Sequence, residues 1–329
     1  MQRWFDRFKM SLDDAMDMFK SFHSQHHNKR RVKIQLAPAN LHWCSDKALT
    51  LLSAASAKYD APMHMHLVET AYQKEYAARR GNCTALEYID RFGMVTNRLT
   101  LGHGVWLNER DIDRLAAAGA CVCHNCSSNF RLRSGVAALN VFEKKGINTA
   151  IGLDEAGIND DRDMLQELKL VLRAHRVPGM VEADVPTMSQ VLRMATTGGA
   201  KTTPYGDTIG SLEVGKGADM VLIDWDQVAY PYLDELTPTL DAVVQRAKNQ
   251  AVTMTMCDGE VIYQDGKFTK VDKTAALKAL HDDLSKALAD DEVERRKLSV
   301  ALLPHARKFY ENYIDTSKHQ PFYRPSSMV

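Results

Sequence analysis

The feature that most constrains this chain is a regular alternation of short apolar runs with helical segments, in which residues able to do chemistry fall at the ends of the runs. β-Branched or apolar runs occur at 32–36, 62–67, 99–102, 120–123 and 149–153. Between them, helical periodicity covers 45–57, 71–92, 109–118 and 135–145, and an amphipathic helix is expected over 9–24. Strands that alternate with helices specify a parallel sheet, because parallel neighbours need a long crossover and a helix supplies it. This pattern suits either a (β/α) barrel or a doubly wound sheet.

The polar residues choose between the two. Asn40 follows the first run, His66 and Glu69 close the second, His103 the third and Asp154 the last. A barrel gathers its chemistry from many strand ends around one mouth. A doubly wound sheet would favour a Gly-rich phosphate turn, and no G-x-G-x-x-G is present. The expected fold is therefore α/β, a (β/α)8 barrel. A closed barrel takes about eight strands, and this reading finds five, so further strands are expected upstream of Met1.

Helical stretches at 163–173 and 187–197 follow, and then the pattern changes. Residues 209–223, 252–256 and 261–263 read as a small antiparallel β unit, with Asp258-Gly259 as its hairpin signal. Residues 274–315 read as helix, with Leu277, Leu280, Leu284 and Leu288 at helical spacing. The expected division is a partial barrel over 1–204, part of a composite β domain over 205–270, and a helical extension with a loose tail over 271–329. Asp290-Asp291-Glu292 beside Arg295-Arg296-Lys297 reads as a solvated or dimer-contacting helix, so a homodimer is one expected assembly.

Composition narrows the partners. Lys+Arg and Asp+Glu balance at 42 each with no basic stripe, which argues against a nucleic-acid ligand. No apolar run approaches the roughly 18 residues of a membrane span, and Met1–Phe5 lacks a signal-peptide layout. Six cysteines in 329 residues suggest a reduced, cytoplasmic protein with buried thiols. Cys121, Cys123 and Cys126 with His124 could read as a zinc knuckle, but a structural zinc normally takes two separated ligand pairs, and no second pair lies nearby. His175, His281, His305 and His319 have no ligand-type spacing and read as surface residues.

The densest local signal is Met63-His64-Met65-His66-Leu67-Val68-Glu69. In a strand, His64 and His66 share a face, and two imidazoles pointing into a barrel are costly unless they bind metal or are hydrogen-bonded. His103 stands between Gly102 and Gly104, which leave room for a ligand, and Asp154 ends its strand where an unpaired charge would be unfavourable.

Taken in order, H-x-x-E at 66–69, G-H-G at 102–104, G-x-D at 152–154 and the return segment 210–223 resemble the amidohydrolase superfamily. The resembling branch is that of the hydrolytic deaminases and chlorohydrolases of guanine, cytosine, S-adenosylhomocysteine and s-triazine type. Residues 126–135 resemble its loop after the seventh strand, and 215–219 its re-entry into the small β domain. The resemblance implies that strands four to eight are present and strands one to three are not.

It also implies one divalent metal ion, zinc ahead of iron, held by His66, His103 and Asp154. Glu69 would be the proton shuttle to a ring nitrogen, His103 would hold the attacking water or a second metal, and Asp154 would accept the water's proton. Asn40, His42, Trp43 and Asn129 would face a small heterocyclic substrate. Two departures stand out. The family's strand-one His-x-His is not found before residue 32, and Ala39 stands where many relatives carry a substrate-contacting His after Gly-Pro. The implied reaction is hydrolytic deamination of a heterocyclic amidine. The alternatives are a ring-opening cyclic amidase of imidazolonepropionase type, or a catalytically incomplete chain.

Overall fold

The computed structural model describes residues 10–154 and 162–315. The expectations for His319 and for the tail from Gln320 onward lie outside these residues. The first helix, α1 (Leu12–His26), is capped by the Ser11 side chain, and α2 (Asp46–Tyr59) by Ser45. Four parallel strands follow in sequence order: β1 (Met63–Leu67), β2 (Leu99–His103), β3 (Cys121–His124) and β4 (Asn148–Ile151). Helices α3 (Ala71–Gly81) and α4 (Ala85–Asp90) connect β1 to β2, and α5 (Glu109–Ala118) connects β2 to β3. Helices α6 (Cys126–Arg131) and α7 (Leu139–Lys144) lead into β4, and α8 (Met164–Ala174) and α9 (Met188–Arg193) come after it.

The run expected as the first strand shrinks to a single parallel bridge, Leu36 to Met63. Two prolines explain the change. Pro38 and Pro62 lie on either side of this ladder, and neither can donate to it. Leu36 N–H donates to Pro62 O and His64 N–H to Leu36 O, and the next bond skips ahead, from His66 N–H to Ala39 O. The segment therefore stays beside β1 as an irregular edge.

The helix expected over 71–92 is two helices. Asn82, in a left-handed conformation (φ 51°), ends α3, and a Thr84/Glu87 capping box starts α4. The 274–315 stretch likewise divides into Lys273–Leu284 and Asp290–Phe309, and neither helix buries a side chain. The leucine stripe at 277, 280, 284 and 288 is exposed.

Burial along β1 alternates strictly. Met63, Met65 and Leu67 are buried against the helical layer with Leu49, Leu86 and Ile89, whereas His64 and His66 lie on the opposite, more open face. That period of two is the pleat itself.

The second sheet is antiparallel, in the order β5 (Met220–Ile223), β6 (Val252–Cys257), β7 (Glu260–Gln264) and β8 (Lys267–Phe268). Asp258 and Gly259 form the expected hairpin turn, both at positive φ (50° and 80°), as a turn matched to strand twist requires. Residues 209–219, expected to lead in as strand, are turn and irregular chain. Arg30 and Arg31 form ion pairs with Asp258, and Arg31 also pairs with Glu260, tying the segment before β1 to the hairpin tip. Among the described residues, no helix is long and apolar enough to cross a membrane.

Candidate active site at the strand ends

Three of the four parallel strands deliver a side chain to one point. His66 comes from β1, His103 is the last residue of β2, and Asp154 follows β4. His66 Nε2 lies 3.5 Å from Asp154 Oδ1, and His103 Nε2 lies 3.6 Å from Asp154 Oδ2. The two imidazole centroids are 5.2 Å apart. One ligand atom from each of the three residues falls within 4.8 Å of the other two.

The backbone bends to achieve this. His103 (φ 77°) and Asp154 (φ 62°) both take left-handed conformations at their strand ends, and Val68 (φ 46°) does so between His66 and Glu69. Such conformations cost about 1–3 kcal/mol each and persist where neighbouring structure holds them. Here Gly104 N–H donates to Leu67 O and Trp106 N–H donates to Val68 O, locking the two strand ends together. Of the two glycines beside His103, only Gly104 (φ 57°) is required by the surrounding packing. A Cβ at Gly102 would stand 3.5 Å from His64 Nε2, and one at Gly104 would press on Leu107 at 3.1 Å.

Each central residue is braced. Asn129 Oδ1 lies 2.9 Å from His103 Nδ1 and, as an acceptor, fixes the Nδ1–H tautomer. That leaves the His103 Nε2 lone pair buried, with no hydrogen-bond partner among the described residues. Ser128 Oγ donates to Asp154 Oδ2 at 2.5 Å. The His66 imidazole beside it, with the Ser128 hydroxyl and His103, holds the Asp154 carboxyl well below the usual carboxylate range. Reciprocally, Asp154 raises the pKa of His66, whose side chain is 45% exposed. Burial, with the neighbouring imidazoles, lowers that of His64. Glu69 accepts from Ser134 Oγ at 2.9 Å, Gln73 Nε2 lies 3.5 Å from its other oxygen, and Trp106 Nε1 donates to Ser134 O.

The residues expected to face a substrate occupy varied positions. Asn129 is buried beneath His103, with its Oδ1 occupied. Asn40 Oδ1 accepts from His42 N–H in the turn that follows the Leu36 bridge. The His42 ring stacks on Tyr76 at 3.9 Å and lies near Tyr310. Trp43 is 74% exposed. Ser128, Ser134 and Gln73 were not singled out in the sequence. The signal that could have found the first two is their place in the 126–135 stretch between β3 and α7, where short polar side chains can reach neighbouring strand ends.

The family model described as the amidohydrolase family matches residues 12–262. The chain belongs to the amidohydrolase family. Among curated relatives, a 5-methylthioadenosine/S-adenosylhomocysteine deaminase of Nitratidesulfovibrio vulgaris is 30% identical over 270 residues, covering 82% of this chain and 60% of the relative. Among solved structures, a zinc-bound adenosine deaminase of Xanthomonas campestris superposes with a TM-score of 0.77 at 29% identity, covering 82% of this chain and 61% of that one. An atrazine chlorohydrolase of Arthrobacter aurescens shares the fold, with a TM-score of 0.76 at 21% identity over 82% of this chain and 59% of its own. The chain thus spans about three-fifths of the length of those relatives. The family fold is a barrel with a small β domain, and the parallel and antiparallel sheets fit those two parts.

Proposed function

We propose that this protein is a metal-dependent hydrolase that deaminates a heterocyclic amidine of the adenosine type, using His66, His103 and Asp154 to hold one divalent ion. The observation that carries the reading is the buried, unpartnered His103 Nε2, held in its tautomer by Asn129 and set 3.6 Å from a carboxylate. A nitrogen lone pair, a second imidazole and a carboxylate within 4.8 Å of one another suit a divalent cation. The donor set accepts zinc or iron, and the zinc in the Xanthomonas campestris deaminase favours zinc. When bound, the ion supplies Lewis-acid activation of water at neutral pH.

The chain's own residues do the proton work. Asp154, an ionised carboxylate kept so by His66 and Ser128, accepts a proton from the attacking water. Glu69, oriented by Ser134 and Gln73, protonates the ring nitrogen as the amine leaves. His103 exchanges no proton at Nδ1, which Asn129 holds, and offers its Nε2 lone pair to the ion. The relatives' names support the adenosine-type substrate, and Ala39 leaves open which side chain meets its ring.

The test measures ammonia release from adenosine-type and s-triazine substrates by the zinc-loaded protein and by Glu69→Gln. The expected outcome is release from an adenosine-type compound, with Glu69→Gln reduced about 10²–10⁴-fold at unchanged metal content. Ring opening without ammonia would replace deamination with amidase chemistry. Metal loss in Glu69→Gln would make Glu69 a ligand and end its assignment as the proton shuttle.

A further inference from the structure

A second cluster of ligand-type side chains shares no residue with the first. His124 ends β3, Cys126 opens α6, and His175 follows α8, and all three are buried. One ligand atom from each lies within 4.8 Å of the other two. His175 Nε2 and His124 Nε2 face each other at 2.9 Å, with the rings tilted by 68°. This corrects the reading of His175 as a surface residue.

A hydrogen-bonded histidine pair does not account for the cluster on its own. Two neutral imidazoles meeting Nε2 to Nε2 share one proton, so one donates and the other accepts. That bond uses one nitrogen of each ring and leaves the third ligand-type side chain of the cluster out. That third donor, the Cys126 sulfur, stands within reach of both rings. The separation of the two facing nitrogens is within a few tenths of the about 3.3 Å that two imidazoles keep on a tetrahedral zinc with bonds of about 2.0–2.1 Å.

We propose that His124, Cys126 and His175 form a second, buried metal site that takes a thiophilic divalent ion and ties β3, α6 and α8 together. Two imidazoles and a thiolate select zinc-like ions over calcium or magnesium. On binding, the His–His hydrogen bond gives way to metal–nitrogen bonds, and the Cys126 S–H proton passes to solvent. The ion and the thiolate leave one positive charge. The buried Glu167 carboxylate, close enough to act on Cys126 and held by Ser127 N–H at 3.0 Å, offsets it. Without metal, burial pushes the Cys126 thiol up to about 12 and the His124 and His175 imidazoles down to about 3 and about 4, so all three are neutral.

Cobalt(II) distinguishes this site from the first, which contains no sulfur. The metal-stripped full chain carrying His66→Ala and Asp154→Asn is titrated with cobalt(II) and followed by near-ultraviolet absorption and metal content. The expected result is one cobalt per chain with a thiolate-to-cobalt charge-transfer band. Cys126→Ser in the same background should lose the band. His175→Gln, on a separate element, should also lose it, which keeps the assignment testable if Cys126→Ser fails to fold. No thiolate band at saturating cobalt in the parent variant would overturn the proposal. So would a band that survives both substitutions, because binding would then belong to other thiols.

Discussion

In the proposed site, Asn129 would act through His103 and not by meeting the reacting atoms. Its carboxamide oxygen holds His103 Nδ1–H, so the opposite nitrogen keeps its lone pair toward Asp154. Outer partners of metal-bound histidines commonly set both tautomer and ring orientation. Asn129→Ala should therefore weaken zinc binding about 10–100-fold, measured by competition with a chromophoric chelator, while the far-ultraviolet circular dichroism stays unchanged. An unaltered affinity would show that His103 needs no such brace. The residues that could be read in advance here were those whose spacing reports directly on geometry: His66, Glu69, His103 and Asp154 fall at strand ends because hydrophobic runs stop there. The braces were not legible. Nothing in the order Ser128-Asn129 says which oxygen will meet a strand end far away in the sequence. His175 was misread for the same reason, since its partner His124 is joined to it only through the packing of α8 on the sheet.

At the scale of elements, the break between α3 and α4 carries more weight than its length suggests. Thr84 accepts from Glu87 N–H at 3.1 Å and donates to Asp111 Oδ1 at 2.6 Å, linking the start of α4 to the first turn of α5. Asp111 is buried, and burial raises its pKa while the Thr84 hydroxyl opposes that rise. Thr84→Ala removes a cap and a partner of a buried carboxyl together. It should destabilise the protein by about 1–3 kcal/mol, read as a lower urea midpoint at unchanged slope. Thr84→Ser, which keeps both bonds, should recover most of the loss. The capping signature T-x-x-E was present in the sequence, but continuous helical periodicity across 71–92 masked it. The converse error occurred at the first strand, where an apolar run was legible and the effect of Pro38 and Pro62 on its ladder was not. The small sheet was legible in its hairpin, where Asp258-Gly259 sets the turn, and in its three longer strands, but not in the irregular lead-in 209–219 or the short strand Lys267–Phe268.

For the whole molecule, the buried histidine pair makes acid stability a property of the metal-free state. His124 and His175 have folded-state pKa values pushed down to about 3 and about 4 by burial, below the ordinary value of 6.5. The unfolded chain therefore binds more protons below pH 6.5, and stability falls as pH drops from there toward about 4. Each of the two groups contributes a slope of about 1.4 kcal/mol per pH unit in that window. Urea unfolding of the chelator-treated protein between pH 7 and pH 4.5 should show this decline, and His175→Gln should flatten it by about half. Asp154 and His66 act in other windows. The lowered Asp154 pKa gives stability that is complete above the ordinary carboxylate range and is lost only in strong acid. The raised His66 pKa gives stability that is complete below 6.5 and is lost as pH rises through its folded value.

The alternation along β1 has one more consequence, for how this protein tolerates change. Met63, Met65 and Leu67 face the packed helical layer, and His64 and His66 face the open side. On this strand, odd-numbered positions hold the molecule together and even-numbered ones face the proposed site. A saturation scan of residues 63–67, scored separately for soluble yield and for turnover, should split by parity: substitutions at 63, 65 and 67 lower yield, and those at 64 and 66 spare yield while changing activity. Selection for a new substrate can therefore act at position 64, beside the proposed ligand His66, without first having to restore the fold.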